Sequence, residues 1–168
     1  RRQRQMCIRD SSMIPAKVLG PDAGDHVLDM CAAPGSKTTH IAALMGNRGS
    51  IDAWDVYPHK VKLIKDNAKR LGISIIHTEV RDSVKPLPFL YETYDKVLLD
   101  APCSGLGVLG HKVELRWRRK ESDLSVFPPL QKQLIEQAAK YTKTGGVLVY
   151  STCTLNPDEN EHIINEFL

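Results

Sequence analysis

Two cysteines sit in short polar turns, Ala-Pro-Cys103-Ser-Gly and Ser-Thr-Cys153-Thr. A buried cysteine is usually a small, inert hydrophobe. These two instead leave apolar stretches and enter turns, where a thiol is available as a nucleophile. Cys153 also precedes Asn156-Pro157, a helix start whose dipole favours thiolate, although Asp158, Glu159 and Glu161 oppose it. Only modest activation is therefore expected. A free thiol with a pKa of about 8.5 is a few per cent thiolate at neutral pH. A nearby acid, or a substrate that becomes a better electrophile on binding, must supply the rest.

The other chemistry-bearing residues are acidic, and they too follow apolar stretches. Asp29 opens the loop Met30-Cys31-Ala32-Ala33-Pro34-Gly35-Ser36-Lys37, Asp55 and Asp82 follow the next two stretches, and Asp100 precedes Cys103 by three residues. A dinucleotide site asks for G-x-G-x-x-G here, and a phosphate loop for G-x-x-x-x-G-K-[ST]. Gly35 is the only glycine in residues 29–37, so neither is present. The loop is nonetheless rich in small residues, and a ligand can approach its backbone. Asp55 stands where an acidic side chain accepts ribose hydroxyls. A nucleoside without a pyrophosphate fits, and S-adenosylmethionine (SAM) is the common cofactor of that kind. A tight turn with Asp55 capping the helix at Pro58 would account for the loop alone, but not for Asp82 and Asp100 as well.

A thiol beside a methyl donor has a specific use. Carbon 5 of cytosine is a poor nucleophile; thiolate addition at carbon 6 makes it an enamine able to attack the methyl sulfonium, so that one hard step becomes two. Asp100 stands where an acid would assist that addition. Amino-nitrogen methyl transfer needs no thiol.

Alternating elements deliver these residues to one edge. Val27–Met30 reads as a first strand and Thr38–Met45 as the helix after it. Ser50–Val56 is a second strand, and Pro58 opens a helix with Val61, Ile64, Ala68 and Leu71 on one face, ended by Gly72. Ser74–Val80 and Tyr94–Ala101 are the third and fourth strands, the latter almost continuously apolar as buried parallel strands are. A helix over 129–143 follows, then Gly146–Tyr150 as a fifth strand and a last helix opened by Pro157. The pattern predicts an α/β fold, an open, mainly parallel sheet with helices on both faces. In such sheets ligands bind outside the carboxyl ends of the strands.

Composition sets the bounds. The 168 residues suit one domain and are 26% charged and 42% hydrophobic. Arg1, Arg2, Arg4 and Arg9 against Asp10 account for the whole net charge of +3, leaving the remainder neutral. A global polycation for nucleic acid is excluded, and any such contact needs a local patch. Residues 1–12 show no periodicity and read as a disordered or non-native leader, with the catalytic domain over 13–168. No apolar run reaches the ~18 residues of a membrane span. Cys7, Cys31, Cys103 and Cys153 form no CxxC pair, and His26, His40, His59, His77, His111 and His162 show no i, i+4 spacing. No metal site, reduced thiols, a cytoplasmic location and a monomer are expected.

Lys112–Lys120 supplies a patch: Lys112, Arg116, Arg118, Arg119 and Lys120 surround Trp117, with Glu114 the only acid. Such a stretch grips phosphates and stacks a base, or else is a solvated face with Trp117 in the core. Its position after the Cys103 turn favours RNA contact. The target base would be single-stranded or flipped out, at a cost of a few kcal/mol. Trp54, beside Asp55, either flanks an adenine or packs in the core.

The stretches DMCAAPGSKTTH (29–40), DAPCSGLG (100–107) and GGVLVYSTCTLNPDENE (145–161) resemble the motifs of the Sun/Fmu (Nol–Nop–Sun) RNA cytosine-5 methyltransferases. The resemblance covers about residues 13–168 and implies a Rossmann-like class I SAM-dependent methyltransferase fold. It implies Cys153 as nucleophile and Cys103 as the residue that helps release product. It also implies a cofactor site of Cys31, Ala32, Ala33, Pro34, Gly35, Ser36, Lys37, Asp55, Asp82 and Asp100, with Lys37 and Asp100 touching the target base. The partner would be RNA, ribosomal rather than transfer. Ser36 departs from the second glycine usual in the loop. Family members carry an N-terminal RNA-binding region and further C-terminal strands, so the chain is expected to be a catalytic core cut at both ends. An inactive fragment that binds RNA or acts as a scaffold is the alternative.

Overall fold

The computed structural model describes residues 12–108 and 125–168. Five strands form one sheet: β1 (His26–Asp29), β2 (Ser50–Asp55), β3 (Ile76–Val80), β4 (Tyr94–Asp100) and β5 (Thr142–Ser151). All four pairings are parallel and the order is β3-β2-β1-β4-β5. The chain starts mid-sheet, winds to one edge, returns and winds to the other. This is the doubly wound arrangement, with its switch point between β1 and β4.

The helices are α1 (residues 12–19), α2 (Ser36–Leu44), α3 (Pro58–Arg70), α4 (Phe127–Tyr141) and α5 (Glu161–Phe167). Alternation along the strands divides the core in two. Val27, Ile51 and Leu98 point one way and pack with Ile41 and Ala42 of α2, with Met45 just after it, and with Ala16 and Leu19 of α1. Leu28, Val97 and Leu99 point the other way, onto Leu134, Ala138 and Tyr141 of α4 and Ile163 of α5. Trp54 lies in this second layer, 2% exposed and edge-on to Tyr141 at 5.6 Å between centroids. Of its two readings, packing is the one observed.

The elements match the sequence expectations to within a few residues, with three differences. Helix α1 is not among the elements expected from the sequence, and it contains Pro15. This proline falls in the first turn of the described helix, where a missing N–H costs little. Helix α4 ends at Tyr141 rather than 143, and β5 begins at once, at Thr142. The Thr142 hydroxyl donates to the Ala138 carbonyl (2.8 Å), and Thr142 pairs with Tyr94 across a register shift. Gly146 lies in this strand, as expected, and a Cβ there would lie 2.8 Å from the Asp95 carbonyl oxygen. Finally, Ser74 and Ile75 precede β3 as connector. The leader expected over 1–12 and the basic stretch 112–120 lie outside the described residues, apart from residue 12, which is helical.

Candidate active site

Every strand ends at the same edge, and each delivers polar groups there. Asp29 closes β1, Asp55 closes β2, Asp82 follows β3 by two residues, Asp100 closes β4 and Ser151 closes β5. Parallel pairing fixes this convergence, since only parallel strands put all their carboxyl ends on one side.

A cavity of about 560 Å³ opens there, lined among others by Met30, Cys31, Asp55, Asp82, Asp100, Cys103 and Cys153. That lies in the range of roughly 300–1,000 Å³ of small-molecule sites. Sequence reasoning missed Tyr57, Lys60, Arg81 and Ser83, which line it too. Their proximity to Asp55 and Asp82 in the chain was the available signal. The Tyr57 amide donates to Asp55 Oδ1 (3.1 Å), and the Val84 amide donates to Asp82 Oδ1 (3.3 Å), whose Oδ2 faces the exposed Lys85 ammonium at 3.8 Å.

The loop after β1 forms the floor. Gly35 has φ +97°, and a Cβ there would lie 3.1 Å from the Ile64 Cα of α3, so the loop presses against that helix where only glycine fits. Lys37, in the first turn of α2, reaches back across the sheet edge to Asp100 Oδ2 at 2.7 Å. The Ser151 hydroxyl donates to the other oxygen, Oδ1, also at 2.7 Å. Asp100 is thus held from both sides, by elements far apart in the chain. Burial and the carboxylates of Asp29, Asp55 and Asp100 push the Cys31 thiol up, keeping it neutral.

Asp29 is 1% exposed beneath this floor. Its Oδ2 accepts from the Thr38 hydroxyl (2.7 Å), while Oδ1 has no hydrogen-bond partner among the described residues. Burial pushes its carboxyl up to about 7, opposed by the Thr38 hydrogen bond. Between the ordinary carboxylate value near 3.8 and about 7 the folded chain holds a proton that the unfolded chain has lost. Stability contributed by this group is therefore fully present below pH ~4 and declines as pH rises to ~7. Asp29→Asn is expected to flatten urea midpoints between pH 5 and 8, where the unmodified protein loses on the order of 2–3 kcal/mol. Identical pH slopes for the two proteins would refute the shift.

The two thiols meet at the cavity mouth. Cys103 Sγ and Cys153 Sγ are 3.2 Å apart, although 50 residues separate them, and the Cys153 amide donates to Cys103 Sγ (3.3 Å). Cys153 is exposed and Cys103 partly buried. The hydrogen bond with Cys153, reinforced by burial, pushes the Cys103 thiol far up. Cys103 therefore keeps its proton in the resting arrangement. Two backbone contacts hold the turns together: the Ala101 amide donates to the Ser151 carbonyl (2.8 Å), and the Gly107 amide to the Cys153 carbonyl (3.0 Å). A Cβ on Gly107 would lie 2.8 Å from that carbonyl oxygen.

The predicted site residues Cys31–Lys37, Asp55, Asp82, Asp100, Cys103 and Cys153 are therefore brought to one edge of the sheet; Cys31, Ala33, Asp55, Asp82, Asp100, Cys103 and Cys153 line the cavity, whereas Ala32, Pro34, Ser36 and Lys37 line a small pocket of about 50 Å³ that shares Cys31, Ala33 and Asp100 with it. The predicted RNA contacts Lys112, Arg116, Arg118, Arg119 and Lys120 lie outside the described residues. Among the described residues no cluster of three or more potential metal ligands occurs, and no helix is long and apolar enough to cross a membrane. Acceptors at Asp55, Asp82 and Asp100 suit a nucleoside bearing hydroxyl and amino donors, and they would repel a chain of phosphates.

The chain is 45% identical over 160 residues to the Bacillus subtilis "Probable ribosomal RNA small subunit methyltransferase B", covering 95% of this chain and 36% of that one. It is 44% identical over 162 residues to the Mus musculus "tRNA (cytosine(72)-C(5))-methyltransferase NSUN6", covering 89% of this chain and 33% of that one. The chain thus spans about a third of the length of these curated relatives. The crystal structure of NSun6 from Pyrococcus horikoshii with SFG superposes with a TM-score of 0.85 at 42% identity, covering 93% of this chain and 40% of that one. The sequence profile described as 16S rRNA methyltransferase RsmB/F matches residues 16–168. With fold, motifs and cavity in agreement, the chain belongs to the RsmB/F family of methyltransferases.

Proposed function

We propose that this chain is the catalytic core of an enzyme that moves a methyl group from SAM to carbon 5 of a cytosine in RNA, ribosomal in preference to transfer RNA. The observation that carries this reading is the pair of thiols 3.2 Å apart at the mouth of a cavity lined by Asp55, Asp82 and Asp100. SAM-binding relatives support the cofactor: the Pyrococcus structure was solved with SFG, a SAM analogue. The relatives' names support RNA, and one specifies cytosine C5.

Bound SAM supplies an electrophilic methyl group. The chain's residues do the rest. Asp55 would accept from the ribose hydroxyls and Asp82 from the adenine amino group, and the Cys31–Lys37 loop would hold the methionine end. Cys153, the exposed member of the thiol pair, adds as thiolate to carbon 6 of the cytosine. Lys37, 2.7 Å from Asp100, is the cationic donor that meets the negative charge rising on the ring edge, and the Asp100 carboxylate, fixed by Lys37 and Ser151, accepts from the cytosine amino group. After methyl transfer carbon 5 carries a proton that must leave before the Cys153–carbon 6 bond can break. Once Cys153 is bound to carbon 6 it no longer shares the hydrogen bond that held the Cys103 proton; Cys103 gives that proton to water, its thiolate takes the carbon 5 proton, and the electron pair of the broken C–H bond expels Cys153 as thiolate. The basic stretch Lys112–Lys120 is assigned to phosphate contact on its charge.

The test uses SAM labelled in its methyl group, with unmodified small-subunit ribosomal RNA and transfer RNA, digested to nucleosides afterwards. Label in 5-methylcytidine, and more of it from ribosomal RNA, is the expected result. Label in another nucleoside overturns the carbon 5 assignment, and a preference for transfer RNA overturns the choice of substrate.

A further inference from the structure

Glu159 is fully buried, at 0% exposure, and lies outside the cavity. A carboxylate in such a place is costly unless several donors surround it. Among the described residues it has no cationic partner but a full shell of donors. Its Oε2 accepts from the Ser104 amide (2.8 Å) and from Gln131 Nε2 (3.1 Å). Its Oε1 accepts from the Ser104 hydroxyl (2.5 Å), from Asn156 Nδ2 (3.3 Å) and, at 3.5 Å, from the Thr154 hydroxyl. Ser104 and Thr154 hydroxyls are themselves 2.8 Å apart.

The partners show what this group does. Ser104 follows Cys103 and Thr154 follows Cys153, so the carboxylate grips the next residue after each thiol. The two turns come from different strands and reach toward solvent, where the sheet no longer fixes their separation. Gln131, from α4, also donates to the Pro102 carbonyl (2.9 Å), which ties the grip to the helix layer. The Tyr150 hydroxyl donates to the backbone carbonyl of Glu159 (2.7 Å) and anchors the clamp to β5. A carboxylate only accepts, whereas an amide at this position would turn two N–H donors toward groups that are themselves donors. The site therefore calls for an acid rather than for any polar residue of that size.

We infer that Glu159 is a positioning residue, which acts by clamping the two cysteine turns at the spacing the thiols need. This rests on the reading of Cys103 and Cys153 as partners in one reaction. The clamp matters most at release, when Cys103 must take a proton from a carbon one bond away from the one held by Cys153. A misplacement of ~1 Å at that stage costs about 10²-fold in rate.

Phenylarsine oxide reports the spacing without RNA. Its arsenic condenses with two adjacent thiols: two As–S bonds form, the As–O bond is lost, and both thiol protons leave with the oxygen as water. No oxidant is needed. The unmodified chain is expected to capture one equivalent that Cys103→Ala does not. Glu159→Ala is expected to lower this capture by about tenfold, keep its affinity for S-adenosylhomocysteine within about twofold, and accumulate the covalent RNA adduct as release slows by about 10²-fold. Glu159→Gln, which keeps part of the shell, is expected between the two. Unaltered capture in Glu159→Ala with S-adenosylhomocysteine binding retained overturns the clamp. If that variant loses S-adenosylhomocysteine as well, unaltered capture in Glu159→Gln overturns it instead. Altered capture together with no RNA adduct in any variant leaves the clamp in place and overturns the covalent reaction itself.

Discussion

Replacing Cys153 by alanine is expected to lower methyl transfer to RNA by about 10³-fold or more, with the affinity for S-adenosylhomocysteine within about twofold of the unmodified protein. The first half follows from the chemistry. Without a nucleophile at carbon 6, carbon 5 of cytosine has no enamine character, and no other group at the cavity mouth supplies it. Cys103 cannot take over, because it is the partly buried member of the pair and the one whose thiol is held protonated. The second half follows from the geometry. Cys153 lies at the exposed end of the cavity, while Asp55, Asp82 and the Cys31–Lys37 loop stand on other strand ends and owe nothing to its side chain. Transfer of label from SAM and titration calorimetry with S-adenosylhomocysteine check the two halves on the same preparation. Turnover that survives in Cys153→Ala would end the assignment of that residue as nucleophile.

Replacing Cys103 by alanine is expected to do something different: to trap the chain on its RNA. Cys153 can still add to carbon 6 and the methyl group can still be taken up. The carbon 5 proton then has no thiolate 3.2 Å from the leaving sulfur to receive it. The covalent adduct should persist through denaturation and appear as a slow-migrating band on a denaturing gel, in place of repeated turnover. The same band should be missing from the Cys103→Ala/Cys153→Ala double variant, because the bond runs through Cys153. Turnover at the unmodified rate in Cys103→Ala would remove that residue from the release step. A band that persists in the double variant would move the covalent bond to another residue.

The strand ends were legible because each contributes a local signal. An apolar run ending in aspartate at Asp29, Asp55 and Asp100, or in a cysteine turn, is visible in a few consecutive residues, and alternation with helical stretches predicts the parallel sheet that gathers them. Glycine signals were legible only in part. Gly72 marks a helix end as read, whereas Gly107 and Gly146 answer to backbone from other segments, the Cys153 and Asp95 carbonyls. The clamp acid was read in the opposite sense. Glu159 counts, in the sequence, as a negative charge near a helix start that works against the Cys153 thiolate. In the fold its charge is turned inward onto Ser104 and Gln131.

Residue types, their order along the chain and the parallel connection of strands determined which groups arrive at one edge of the sheet, since each of these depends on stretches of fewer than about ten residues. The tertiary structure alone decided the distances: Lys37 to Asp100 at 2.7 Å, Cys103 to Cys153 at 3.2 Å, and Glu159 between two turns. Each of those pairs joins segments whose separation is set by how helices α2 and α4 and the last strands pack on the two faces of the sheet. Packing is a property of surfaces meeting across the core, and no local stretch of sequence carries it.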